Sequence, residues 1–272
     1  MSTFDFKTFD FETCGVLCAV ALHFNPLSGN LLFHMTKTAE NQGLITEMFA
    51  AGAHFGYSRS RRHPSAKPFI FGTKNKVEIL DLEKTSIELE NALAFVKSLA
   101  NSGKQILFVG TKSEAKRAVE SGAAAIDMPF VVERWVGGVL TNFPEIKKRV
   151  ALLEDLRDKR EKGELAMYTK KERLLIDKDV ERLERNFAGI VSMKNMPVAM
   201  FVIDPKKEAI AVKEAQFLGI PVIALASSDC NLKDVDYAIP GNDSSVSSIT
   251  FFVSQIVDAF KSGRAAMPAT IQ

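Results

Sequence analysis

The stretch AHFGYSRSRRHPSAKPFIFGTKNK, residues 53–76, gathers the side chains with the clearest chemical purpose. From Met48 through Val77 there is no Asp or Glu, yet Arg59, Arg61, Arg62, Lys67, Lys74 and Lys76 all occur, with His63 beside them. Arg forks take phosphate oxygens bidentately and Lys acts as a point charge, so the chemistry indicated is recognition of a polyanion rather than bond making. A charge run is ordinarily a solvated face. Here the missing acids and the interleaved Tyr57, Phe69 and Phe71 favour RNA, whose sites mix cations with stacking rings. Gly52, Gly56, Pro64 and Pro68 predict an extended, irregular segment. A second stretch, ERWVGGVLTNFPEIKKR at 133–149, offers Arg134, the single tryptophan Trp135, polar Thr141 and Asn142, then Lys147, Lys148 and Arg149. Gly137-Gly138 permits close backbone approach. That pattern suits a binding link, and equally a strand edge turning into the next element with Trp135 merely packed.

Catalytic groups are harder to assemble. Gly110-Thr111-Lys112-Ser113 echoes the end of a P-loop, but the first glycine is missing and Thr111 separates Gly110 from Lys112, so the phosphate cradle is absent. Asp204 in IDPKKE reads as a turn opening the next helix. Cys230 in SSDCN lacks a neighbouring histidine to lower its pKa. Cys14, Cys18, His23 and His34 fit no familiar zinc spacing. No catalytic residue, metal or cofactor is expected, and the rival reading is a small-molecule α/β enzyme, or a nucleotide or sugar-phosphate binder, without a glycine-rich loop.

The elements that must position these residues follow from periodicity. VEILDL (77–82), KQILFVGT (104–111), PFVVER (129–134), VAMFVID (198–204), IPVIALAS (220–227) and YAIPG read as strands. Helices are predicted over 85–101, 113–126, 207–218 and 244–261. Continuous apolar strands alternating with helices demand a parallel sheet covered on both faces, a doubly wound α/β domain. Residues 145–189 differ, with thirteen Lys or Arg and eleven Asp or Glu around a sparse apolar thread of Ile146, Val150, Leu153, Leu156, Ile176, Val180, Leu183 and Phe187. That spacing predicts an antiparallel coiled-coil hairpin inserted between two strands.

At 272 residues the chain can bury a real core. The formal charge of only +2 requires local rather than global attraction to a polyanion. No apolar run reaches the roughly 20 residues of a membrane span, and CGVLCAVAL at 14–22 follows an acidic rather than basic lead. With Cys14, Cys18 and Cys230 forming no disulfide framework, the expected place is the cytoplasm. Met35 opens an ordinary amino terminus and is the expected physiological start. The expected organisation is a non-native or disordered leader at 1–34, an N-terminal helix and basic extended segment at 35–76, an α/β domain over 77–143 and 197–262, the hairpin at 144–196, and a disordered tail at 263–272.

AAGAHFGY, KPFIFG, ILFVGTK, RWVGGVLTNF, FVIDPKKEAIAVKEAQFLGIPV and VDYAIPGND run in order over residues 40–262. In that order they resemble the bacterial small-subunit ribosomal protein two family. The resemblance implies a Rossmann-like (flavodoxin-like) α/β fold with an inserted helical hairpin and no enzymatic activity. It also implies a place on the bacterial ribosome, binding small-subunit rRNA and neighbouring ribosomal proteins and helping to dock the large mRNA-binding ribosomal protein one. By position it makes residues 54–76 and the Arg134–Asn142 link the RNA-contact candidates, and the hairpin a site of further RNA or protein contacts. The chain departs from the family pattern at Tyr57 (HFGH in the family), at RHPSAKPFI (WNPKMKPYI) and at DCNL (NCDP), which removes a histidine, an aromatic ring and a proline.

Overall fold

The structure is a computed structural model that describes residues 42–265. The leader, its Cys14, Cys18, His23 and His34, the expected start at Met35 and residues 266–272 lie outside the described residues. The described chain opens with a helix, α1, over 42–50. Three short strands follow, β1 (Phe55–Ser58), β2 (Ile70–Lys74) and β3 (Val77–Leu80). They pair antiparallel in the order β1-β3-β2. Val77–Leu80 was expected to open the parallel sheet, and it belongs to this small sheet instead. Its alternation explains why: Glu78 and Leu80 are buried while Val77 is exposed, the pattern of a strand with one wet face. The basic segment is accordingly more ordered than an irregular loop. Two 3-10 turns, Arg59–Arg61 and Pro64–Phe69, connect β1 to β2. Asn75 and Lys76 then reverse the chain with φ of 52° and 66°, the left-handed pair a two-residue hairpin turn needs.

After α2 (Leu82–Asn101), which starts on an Asp81 cap, the chain enters the main sheet. Its strands are β4 (Ile106–Val109), β5 (Phe130–Val131), β6 (Ala199–Ile203), β7 (Val222–Ala226) and β8 (Tyr237–Pro240). All pair in parallel, in the order β5-β4-β6-β7-β8. This is the flavodoxin-like order, which reverses direction between β4 and β6, where ligands gather in such folds. Alternate strand residues divide the core. Ile106, Phe108, Phe201, Ile203, Ile223 and Leu225 face one cluster with α2, α3 (Ser113–Ala124) and α7 (Val246–Ala265). Leu107, Val109, Met200, Val202, Val222 and Ala224 face the other. That second cluster includes residues of α4 (Phe143–Glu161), α5 (Lys170–Phe187) and α6 (Ala209–Leu218). Every strand is therefore apolar throughout because both its faces are covered.

Helices α4 and α5 fill the charged interval between β5 and β6. Of the apolar thread, Ile146, Leu153, Val180, Leu183 and Phe187 are buried, and they join the sheet's core rather than a seam of their own. Arg157 Nε donates to Glu184 at 2.8 Å between the two helices, and a Thr169–Glu172 capping box starts α5. Leu174 and Leu175 are exposed. The last helix runs through Ala265, past the expected boundary at 262, because Gly263 sits tightly against Ala100 and Lys97 of α2. At the base of α5, Gly189 lies so close to Phe130 that a Cβ would collide with its carbonyl oxygen and come within 2.8 Å of its ring. Gly189→Ala is expected to cost about 2–3 kcal/mol in urea unfolding, with an unchanged m-value.

Candidate nucleic-acid interface

The basic segment is fastened to the carboxyl ends of β7 and β8. Tyr57 N donates to Ser228 Oγ at 2.9 Å, and His63 N donates to the Ser228 carbonyl at 2.9 Å. Ser65 Oγ accepts from Leu232 N at 3.0 Å, and Asn242 N donates to the Ala53 carbonyl at 3.0 Å. Gly56 passes so near Ser228 that a side chain there would press on its hydroxyl at 3.1 Å. The carboxyl ends of β7 and β8 are thus roofed by the chain itself.

Beneath that roof the acids and the lysine that end separate strands meet. Lys112 Nζ, just beyond β4, lies 2.7 Å from Asp204 after β6 and 2.7 Å from Asp243 after β8. Tyr57 OH is 3.4 Å from the same ammonium and 2.7 Å from Ser244 Oγ. Asp204, Cys230 and Asp243 lie within 4.8 Å of one another, a spacing that suits a cation, and the Lys112 ammonium supplies the positive charge between the two carboxylates. The resemblance of this lysine to a P-loop lysine ends here, since it is spent on two carboxylates. Burial, the largest influence, acts to lower the Lys112 pKa, but its hydrogen bonds to Asp204 and Asp243 win and raise it above the ordinary lysine range. Burial likewise acts to raise Asp204, and the Lys112 ammonium holds that carboxyl below its usual value. Asp243, with a fully buried side chain, goes the other way because burial outweighs the same lysine. Burial and the nearby carboxylates push the Cys230 thiol far up, which leaves it inert. Asp204 also makes the expected turn, accepting from Lys206 N and Lys207 N at 3.2 Å with φ of 61°.

The five cations Arg59, Arg61, Lys67, Lys74 and Lys76 are exposed, and none enters an ion pair among the described residues. Arg62 differs. Its Nη1 lies 3.2 Å from Oε1 of Glu78, whose side chain is wholly buried. Arg62 is therefore committed to the fold, which its place in the run gave no sign of. His63 caps the following 3-10 turn, accepting from Ser65 N. Of the interleaved rings, Tyr57 and Phe69 are partly buried, and only Phe71 stands free, 81% exposed. It borders a groove with Phe49, His54, Ile79 and Leu82, in which the Phe49 and His54 rings stack at 4.4 Å.

The second stretch is moulded by a residue that sequence reasoning passed over. Glu214, on α6, accepts from the Trp135 indole N–H at 3.2 Å and from Gly138 N at 2.8 Å through one oxygen. The other oxygen accepts from Leu140 N, Thr141 N and Thr141 Oγ1 at 3.1, 3.2 and 3.3 Å. Trp135 is buried, packed rather than presented, while Arg134, Thr141 and Asn142 remain exposed. Arg134 and Trp135 line a cleft of about 400 Å³ with Thr111, Lys207, Glu208 and Ile210. Lys147 lies over the Phe143 ring at 5.0 Å, Lys148 pairs with Glu145 at 2.7 Å, and Arg149 is exposed nearby on α4. No helix among the described residues is long and apolar enough to cross a membrane.

Residues 48–263 match the family described as Ribosomal protein S2. The chain is 42% identical over 221 residues to the small ribosomal subunit protein uS2 of Chlorobium luteolum, covering 81% of this chain and 87% of that one. It is 41% identical over 225 residues to the protein of the same name from Chloroflexus aurantiacus, covering 83% and 94%. Against that from Geotalea uraniireducens it is 42% identical over 228 residues, covering 84% and 89%.

Two outcomes are expected from the buried charges. Lys112→Met strands two carboxylates and should cost about 3–5 kcal/mol at neutral pH. In wild type the depressed Asp204 pKa contributes stability above the ordinary aspartate range, lost as pH falls through the depressed value. In the variant the stranded acids take up protons early, so its deficit should shrink between pH 7 and pH 5, read by urea unfolding. For Glu214, burial acts to raise the carboxyl pKa, and the donors from Gly138, Trp135, Thr141 and Leu140 outweigh it and lower it. Its contribution is present above the ordinary glutamate range and fades only as pH falls through the lowered value. Fluorescence of the single tryptophan should therefore hold steady through about pH 4.3, the unperturbed value, and change below it.

Proposed function

The chain belongs to the ribosomal protein S2 family, and from that premise we propose that it is a structural constituent of the small ribosomal subunit that binds small-subunit rRNA through its basic segment. The observation that carries this reading is the set of exposed, unpaired cations Arg59, Arg61, Lys67, Lys74 and Lys76 on a segment fastened to the ends of β7 and β8. Held in place before binding, they lose little conformational freedom on meeting phosphates. Arg134, Thr141 and Asn142 extend the interface, and Lys147, Lys148 and Arg149 on α4 supply further contacts to RNA or protein. The protein works in the cytoplasm, on the bacterial ribosome, and catalyses no reaction. In support, the lysine at the end of β4 is spent on Asp204 and Asp243.

Neighbouring ribosomal proteins, the large mRNA-binding ribosomal protein one among them, complete the set of partners. The exposed groove at Phe49, His54 and Phe71 suits a protein contact, being aromatic and rimmed by Asp81 and Glu83 where the rest of the segment is cationic.

The test replaces Arg59, Arg61, Lys74 and Lys76 together by Ala and leaves Arg62, whose loss would strand Glu78. Binding of small-subunit rRNA should weaken, and the log–log salt slope should fall by about 3, at roughly 0.7–0.9 per lost phosphate contact. The melting temperature should stay within about 2 °C of wild type. An unaltered slope would overturn the assignment. In a high-salt sucrose gradient of lysate the wild-type protein should follow the small subunit, and remaining at the top would count equally against it.

A further inference from the structure

One carboxylate on the outer edge of α6 takes five hydrogen bonds from a single loop, which is otherwise held by the buried side chains of Trp135, Val139 and Leu140 and by two backbone bonds of its own. Between β5 and α4 the backbone belongs to no strand, and Gly138 turns it with φ of 93°. The amides of Gly138, Leu140 and Thr141 all point at Glu214, joined by the Trp135 indole and the Thr141 hydroxyl. Glu214 is itself fixed, because Ala211, Val212 and Ala215 of the same helix are buried in the sheet's second core. Exposed Arg134 and Asn142 bracket the clamped amides in sequence, and exposed Thr141 is itself clamped.

We propose that Glu214 is the positioning residue of the RNA interface, an acid that touches no RNA but moulds the 134–142 loop so that Arg134, Thr141 and Asn142 are presented together. The inference rests on the reading of that loop as an RNA contact. A carboxylate near a phosphate-binding surface repels the ligand, so a bystander glutamate would weaken binding and its removal would tighten it. A positioning glutamate has the opposite sign. Its removal frees three backbone N–H groups to seek water, the loop spreads over many conformations, and the bound arrangement becomes a minor one.

The experiment uses the full chain with a small-subunit rRNA transcript at fixed salt and compares wild type, Glu214→Asp, Glu214→Gln and Arg134→Ala. Trp135 is the only tryptophan, so its indole N–H resonance reports the clamp without ambiguity. Glu214→Asp keeps the charge but withdraws it by one methylene. It should shift the indole resonance and weaken binding about 5- to 10-fold. Glu214→Gln should also weaken binding, although it removes a negative charge. Tighter or unchanged binding by Glu214→Gln, with the indole resonance displaced, would sink the positioning role. If Arg134→Ala weakens binding while Glu214→Asp does not, the interface stands and only Glu214's role falls. If Arg134→Ala leaves affinity intact, the loop is no interface and both readings fall. Should the Glu214 variants melt early, Trp135→Phe deletes one of the five bonds and keeps the carboxylate. It should weaken binding about twofold, and full affinity there would overturn the proposal.

Discussion

A buried ammonium holds the carboxyl end of the sheet together. Lys112 follows β4, Asp204 follows β6 and Asp243 follows β8, so two salt bridges join the ends of three strands that are far apart in the chain. Two acids around one lysine leave an excess of negative charge in a nearly dry place. The structure resolves this by letting the two acids diverge, Asp204 held ionised by lysine and turn amides, Asp243 drawn toward its neutral form by burial. Replacing any one member would leave the others uncompensated, which is why such clusters constrain a fold even where they add little net stability.

From that cluster outward, the carboxyl end of the sheet carries the basic segment. In an open α/β sheet the crevice at the switch point ordinarily admits a small molecule. Here Tyr57 lies against the lysine and Ser228 ties down the backbone on either side of Arg59–Arg62. The sheet's most precisely formed edge becomes a mount for a cationic arm. Rigid mounting suits recognition of a folded polyanion, where spacing between charges decides which phosphates can be met at once. Glu78 shows the same economy, since its buried carboxylate takes one cation, Arg62, out of the exposed set and uses it as an anchor.

Much of the fold could be read from the residues alone. KQILFVGT, VAMFVID and IPVIALAS are apolar throughout because helices cover both faces, and runs of that kind leave few alternatives to a parallel strand. VEILDL misled because a four-residue strand with one wet face reads like a short core strand, and the burial of Glu78 depends on Arg62, sixteen positions earlier. The charged thread at 145–189 was legible as helical, but which of its apolar residues join the sheet's core was not, since that depends on where β5 and β6 lie. The candidate site is legible only where it is local: the acid-free run stands out without any structure. It was not legible where it is assembled. Lys112 reads as the end of a broken P-loop, Asp204 as a turn and Asp243 as a helix cap, although a polar residue at the end of ILFVG, FVI and IPG was a signal of sorts. Glu214 gave none, because AVKEAQF is an ordinary helical surface until the neighbouring loop is known.

The placing of α4 and α5 between β5 and β6 also sets the order in which the protein can form. Ile106 of β4 pairs with Ala199 of β6, so the central pairing of the sheet awaits synthesis of the whole charged interval between them. Closing so long a loop costs entropy before any strand contact repays it. During translation β4 and the short β5 must therefore wait for β6, with the face that α4 and α5 later cover still open, while this densely charged stretch is made. Charges that flank an uncovered apolar surface oppose aggregation, and the lysines, arginines and acids of that interval act in that direction. The charged helices are thus made while the sheet that they will cover is still incomplete.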